Sequence, residues 1–138
     1  MGIGGDMSNN KRHWQIVFFV LACFVTYAIY DAFTVADIVA PTHPLFVSIL
    51  ILIADLLILL GAYSYAFNKF IIRSKVFWVF AITFFFIVNC TALIYELVSN
   101  HVGYEVYDMI TMAAFYLCFS FILVIPTIKH IKDLNKVT

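Results

Sequence analysis

Four long apolar runs constrain this chain more than any other feature of its sequence. They cover about residues 14–36, 44–67, 76–98 and 106–128, and only short polar connections separate them. A membrane-spanning helix needs about 20 mostly apolar residues, because the hydrocarbon core is about 30 Å thick and each helical residue advances about 1.5 Å. We therefore predict an all-α membrane protein with four transmembrane helices in an antiparallel bundle.

The composition agrees with a chain that lies mostly within a bilayer. Of its 138 residues, 64% are hydrophobic and 12% are charged, and the mean hydropathy is +1.02. Soluble domains carry roughly 25% charged residues. Four spans use nearly the whole length, so we predict one four-helix transmembrane domain over residues 14–128. Residues 1–13 and 129–138 are predicted to be short cytoplasmic tails.

The basic residues predict the orientation of the spans. All eight lie in the two tails or in the second connection, and we call them the basic surface: Lys11, Arg12, Lys69, Arg73, Lys75, Lys129, Lys132 and Lys136. With four spans these three segments share one side of the membrane, and basic residues mark the cytoplasmic side. We expect both termini in the cytoplasm, most simply in a bacterial inner membrane.

Motifs for catalysis, cofactors and nucleic acids are missing from the sequence. It has no Gly-rich phosphate loop, GxSxG or HExxH motif, so we predict that the protein is not an enzyme. The three cysteines lie in apolar runs without a CxxC pair, which argues against a metal site, and no cofactor is predicted. The net charge is zero and topology accounts for the basic residues, so nucleic-acid binding is not expected.

Acidic residues and two histidines are predicted to lie on the side opposite the basic surface. We call this group the acidic/His cluster: Asp31, Asp37, His43, Glu96, His101, Glu105 and Asp108. Imidazoles titrate near neutral pH, so His43 and His101 could sense acidification or a ligand. Their spacing is not that of a metal-binding motif, and no metal site is predicted.

One carboxylate, Asp55, lies near the middle of the second apolar run. Counted from the nearest basic residues, Thr26, Asn89 and Tyr116 lie at a similar depth, roughly 20 Å from the cytoplasmic boundary. The four spans thus offer one polar residue each at a common level. We call these four residues the polar layer.

The polar layer has two interpretations. In the first, Asp55 binds a proton or a cation and changes its protonation state as a substrate passes. In the second, Asp55 is a neutral, hydrogen-bonded link between helices, worth on the order of 1 kcal/mol for each bond. Transporters usually contain discontinuous helices. Pro126, however, is expected in the last turn of the fourth helix, where it would not interrupt a span.

These features leave three expectations for function. The first is a non-enzymatic membrane anchor, scaffold or signalling subunit that forms a homo-oligomer or joins a protein partner in the bilayer or at its cytoplasmic face. The second is a small proton- or cation-coupled transporter or channel that uses Asp55. The third is a sensor on the outer face that uses His43 and His101.

Overall fold

Four helices make up nearly all of the described chain. A computed structural model describes residues 5–34, 44–99 and 102–137. The helices are α1 (Gly5–Thr34), α2 (Leu45–Ala66), α3 (Lys75–Ser99) and α4 (Val106–Val137). Each contains a segment long and apolar enough to cross a bilayer, which indicates an integral membrane protein. The prediction of an all-α chain with four such helices is confirmed.

Two helices continue well beyond the apolar runs. Helix α1 begins at Gly5 rather than near residue 14, and α4 ends at Val137 rather than near residue 128. With 32 residues, α4 is about 48 Å long, which exceeds the thickness of a hydrocarbon core of about 30 Å. Hydropathy marks the part of a helix that suits lipid, whereas backbone hydrogen bonds can continue a helix through polar residues outside it. In α4 the extension contains Lys129, Lys132 and Lys136, which have good helix propensity.

The prediction that Pro126 lies at a helix end is wrong. Pro126 is buried within α4, and the helix continues to Val137. A proline inside a helix has no N–H to donate to the carbonyl of the residue four positions earlier, here Ile122. Membrane helices tolerate prolines because neighbouring groups compensate for the missing bond.

Helix α2 is central, since it packs against each of the other three helices, while α3 and α4 also pack against each other. One buried apolar cluster joins these three helices through Ala54, Ile58, Phe85 and Val124. Helix α1 lies outside this three-helix core. Leu21 is the one buried residue among its described side chains.

Small residues let α2 and α4 approach closely. A Cβ atom built on Gly61 would lie 2.7 Å from Cγ2 of Thr127, which is less than carbon atoms tolerate. The Thr127 hydroxyl in turn donates a long hydrogen bond, 3.4 Å, to the carbonyl of Ile58. Ala62 and Ala66 on the same helix are also buried. Lipid tails are as apolar as these helices, so close packing rather than water exclusion stabilises such contacts.

The turn after α2 is built around Asn68, whose φ of 55° is in the left-handed region. The amide of Asn68 donates to the carbonyl of Tyr65, and the amide of Lys69 donates to that of Ser64. This is the Schellman motif, in which glycine or asparagine ends a helix. The chain then returns to α3, and the indole of Trp78 fixes the connection by donating to the carbonyl of Ile72 over 2.8 Å.

Candidate functional site

A cleft of about 230 Å³ lies where α1, α2 and α4 meet, and Asp55 forms part of its wall. The other side chains of interest in the wall are Phe24, Tyr27 and Ala28 of α1, Phe85 of α3 and Phe119 of α4. Within the described part of the chain, Asp55 is the one charged residue that lines this cleft, and nearly all of its other lining is apolar.

The cleft exists because α1 and α4 both pack against α2 while their own backbones stay apart, so that long side chains make the contacts between them. Their rings meet at Phe24 and Phe119, with centroids 5.8 Å apart in an edge-to-face arrangement. Asp55 lies near the middle of the 22-residue helix α2, on the border between its contact with α1 and the three-helix core. Its side chain is therefore half-buried, with one side toward the cleft.

Asp55 makes no hydrogen bond with any residue that the structure describes, although the Tyr116 hydroxyl lies within electrostatic range. A carboxylate at the centre of a membrane helix costs about 2.5–3.5 kcal/mol on insertion scales. A purely structural role would offset this cost with hydrogen bonds to other helices. The geometry thus leaves the Asp55 oxygens available to a proton or to a ligand in the cleft.

Asn89 and Tyr116, two more residues of the polar layer, lie together between α3 and α4. The Tyr116 hydroxyl donates to Oδ1 of Asn89 over 2.6 Å, and Nδ2 of Asn89 donates to the carbonyl of Phe85 over 2.8 Å. Asn89 is buried and Tyr116 is half-buried. This pair therefore fastens two helices beside the cleft and keeps the amide of Asn89 occupied.

Thr26 does not join the other residues of the polar layer. Its hydroxyl donates to the carbonyl of Ala22 within α1, over 2.8 Å, and its side chain is exposed. Counting residues from the ends of a helix estimates depth but not rotation about the helix axis. The apolar run of α1 has no clear polar face from which that rotation could be inferred.

Some residues of the basic surface also contact other parts of the protein. Their sequence pattern predicted the orientation of the helices but not these contacts. Lys11 Nζ donates to Oδ1 of Asn68 over 2.8 Å and lies 3.8 Å from Oδ2 of Asp133. Lys129 Nζ lies 5.0 Å from the ring centroid of Trp14, close enough for a cation–π contact. The start of α1, the end of α2 and the last turns of α4 thus meet in what we call the basic end. Of the other members of the basic surface, Lys75 is half-buried at the start of α3, and five are exposed, namely Arg12, Lys69, Arg73, Lys132 and Lys136.

His130 is buried near the basic end, and sequence reasoning gave it no role. Its ring stacks on Phe70 at 5.9 Å and meets the edge of Trp78 at 5.3 Å. Its Nε2 has no hydrogen-bond partner among the described residues. The apolar runs do not predict that His130 is enclosed, because Phe70 lies in the connection between α2 and α3 rather than in one of those runs.

The acidic/His cluster is only partly described. Asp37, His43 and His101 lie outside the described residues, so the sensor hypothesis stays a prediction. Glu96 accepts a 3.4 Å hydrogen bond from the Tyr104 hydroxyl. Glu105 and Asp108 are exposed at the start of α4, and Asp31 is half-buried in α1. Within residues 5–34, 44–99 and 102–137, no three metal-ligand side chains lie together.

Comparison of the chain with protein-family models, with curated proteins and with solved structures gives no match. The chemistry of the cleft is therefore the basis for assigning a function. One half-buried carboxylate among apolar side chains can hold a proton or pair with a single positive charge. Neither reaction requires a second catalytic group.

Proposed function

We propose that the protein is a small proton- or cation-coupled membrane transporter whose binding residue is Asp55. The observation that carries this proposal is the position of the Asp55 carboxylate. It lines an open cleft between helices and has no hydrogen bond to another described residue. Intramembrane ionisable residues most often mark ion, proton or substrate pathways.

The proposed mechanism is exchange at one carboxylate. With a proton, Asp55 is neutral and compatible with the apolar wall of the cleft. Without it, the negative charge attracts a cation, whose departure is followed by reprotonation. Proton and cation compete for the same oxygens, so the two cannot bind together, and this exclusion couples their movements. The Asn89–Tyr116 pair, with its own 2.6 Å hydrogen bond, keeps α3 and α4 fixed beside the site.

We further propose an antiparallel bundle with both termini in the cytoplasm, in a bacterial inner membrane. The contacts of Lys11 with Asn68 and Asp133 support this arrangement, because they join the start of α1 to the ends of α2 and α4. The basic surface would then lie in the cytoplasm. A single cysteine introduced at Thr42 tests the orientation. Its modification by an impermeant maleimide added from the cytoplasmic side would overturn it.

Flux in proteoliposomes tests the transport proposal. Wild type is compared with Asp55→Asn, which keeps the side-chain shape but removes the charge, while an internal dye reports proton movement under a cation gradient. Thr26→Val is the matched control, because Thr26 is exposed and bonds only within its own helix. We expect flux from wild type and Thr26→Val but background flux from Asp55→Asn. Absence of wild-type flux, or equal flux from Asp55→Asn, would overturn the proposal.

The second candidate is a non-enzymatic anchor, scaffold or signalling subunit of an oligomer or larger complex. The exposure of α1 favours it, since Leu21 is its one buried residue among the described side chains. A second copy or another membrane helix that covers α1 would give it a packed interface. Mass measurement in nanodiscs, with cross-linking from α1, tests this candidate. A monomer without cross-links at every concentration would exclude the homo-oligomer.

A further inference from the structure

We propose that the Asp55 cleft binds a hydrophobic organic monocation, an amine or quaternary ammonium ion with one aromatic or branched alkyl group. This inference deepens the transport function proposed above and rests on Asp55 as its cation site. It names a class of substrate and a route into the site. Charge, wall chemistry, volume and exposure of the cleft each contribute to it.

The charge and polarity of the cleft favour an organic cation over a metal ion. Asp55 contributes one carboxylate, and nearly all other lining side chains are apolar. Ca²⁺ needs about 6–8 oxygen ligands and Mg²⁺ about six, while channels that strip K⁺ of water surround it with carbonyls. The cleft offers no such set. An alkylammonium ion covers its charge with its own carbon atoms and needs one counter-charge.

The aromatic walls fit the same kind of ligand. Phe24, Tyr27, Phe85 and Phe119 come from three helices and all line the cleft with Asp55. The faces of aromatic rings attract cations, and aromatic enclosures are the usual binding sites of quaternary ammonium groups. The carboxylate and the rings therefore select for positive charge and for apolar surface together.

The volume of the cleft limits the ligand to one ring with a small charged group. An apolar cavity of about 150 Å³ holds benzene, whereas pockets for drug-sized ligands measure about 300–1,000 Å³. The cleft, at about 230 Å³, lies between these two sizes. Benzyltrimethylammonium, which has one ring and a fixed positive charge, is a suitable probe.

The exposure of the rim indicates entry from the bilayer. Phe24 is 53% exposed, Tyr27 65% and Phe119 38%, and these residues lie on α1 and α4 at the rim of the cleft. In a membrane this surface faces lipid. A hydrophobic cation that has entered the bilayer thus reaches Asp55 sideways, between α1 and α4.

Calorimetric titration of the full-length protein in nanodiscs of zwitterionic lipid tests the inference. The probe is benzyltrimethylammonium, and neopentylbenzene serves as its uncharged analogue of the same shape. We expect wild type and Thr26→Val to bind the cation equally. Asp55→Asn should bind it at least about tenfold more weakly, because the counter-charge is lost, and Ala28→Leu should lose binding because the leucine fills the cleft.

Two results would overturn the inference. One is equal affinity of wild type and Asp55→Asn for the cation, which would indicate partition into lipid. The other is equal affinity of wild type for the cation and for neopentylbenzene, a comparison that needs no variant. If neither result occurs, the cation should also raise the unfolding temperature of wild type.

The outcomes for the two proposals are distinguishable. Flux that depends on Asp55, without binding of the probe, would retain the transport proposal and overturn the organic substrate. Binding that depends on Asp55, without any flux, would support the ligand site and overturn transport. Absence of both flux and probe binding would overturn the transport proposal and the organic-cation proposal.

Discussion

The hydroxyl of Tyr116 in α4 donates a 2.6 Å hydrogen bond to Oδ1 of Asn89 in α3, and this bond lies beside the cleft that contains Asp55. Interhelical hydrogen bonds in membrane proteins contribute about 0.6 kcal/mol on average and at most about 1.7 kcal/mol in double-mutant cycles. The Tyr116–Asn89 bond is short, and the amide of Asn89 is buried. The pair is therefore a structural link, and its contribution to stability can be measured separately from transport.

We predict that Tyr116→Phe lowers the free energy of unfolding by about 0.5–1.7 kcal/mol, because Oδ1 of Asn89 loses its donor. Denaturant titration in detergent, followed by circular dichroism, measures this change. Tyr107→Phe is the matched control, since Tyr107 is 77% exposed on the same helix. A cycle with Asn89→Ala isolates the pair. A coupling energy near zero would mean that the bond does not stabilise the fold.

Gly61→Ala should destabilise the protein by about 1–3 kcal/mol, because the added methyl group would overlap Thr127. The sign is diagnostic, since alanine is normally about 1 kcal/mol better than glycine in a helix. Thermal unfolding of Gly61→Ala and of Gly61→Ala with Thr127→Ala provides the measurement. The second change removes Oγ1 and Cγ2 and should restore part of the loss. A stabilised Gly61→Ala protein would contradict the close contact of α2 and α4.

The turn at Asn68 gives a third prediction. Asn68→Ala should cost about 1–2 kcal/mol, because alanine is unfavourable in the left-handed conformation found there. Asn68→Gly keeps that conformation and loses only the exposed contact with Lys11, so its cost should stay below about 1 kcal/mol. Unfolding midpoints of the two variants make the comparison. Equal losses would show that the contact with Lys11, rather than the backbone conformation, determines the role of Asn68.

His130 is expected to tolerate phenylalanine better than alanine. His130→Phe keeps a ring against Phe70 and Trp78 and removes the unpartnered Nε2, so the unfolding temperature should stay the same or rise. His130→Ala leaves a void and should cost more than about 2 kcal/mol. Differential scanning calorimetry compares the variants. If His130→Phe is as unstable as His130→Ala, the nitrogen has a partner that the described contacts do not include.

The parts of the fold that follow from hydropathy could be predicted from the sequence. The four helices and their suitability for a membrane depend on uninterrupted apolar length, which needs no knowledge of neighbouring helices. Helix ends depend on local hydrogen bonds, so the continuation of α4 past Pro126 and of α1 back to Gly5 was not predicted.

The site could be predicted only in part, because depth along a helix can be counted whereas rotation about its axis depends on packing. Asn89 and Tyr116 meet, while Thr26 at a similar counted depth bonds within α1. The cleft beside Asp55 depends on how closely α1 and α4 approach each other over α2, which depends in turn on the size of side chains from several helices. No local pattern in the sequence contains that information.

The attachment of α1 has a mechanical consequence. Ring, hydrogen-bond and ionic contacts join α1 to other helices and to the turn after α2 at positions from Lys11 to Phe24. Further along α1, Val25, Tyr27 and Ala28 line the cleft beside Asp55. Phe24, which contacts Phe119 of α4, is therefore both an attachment point of α1 and part of the wall of the cleft. A ligand that enters between α1 and α4 would have to part these two rings, so the Phe24–Phe119 contact sets the resistance to entry from that side.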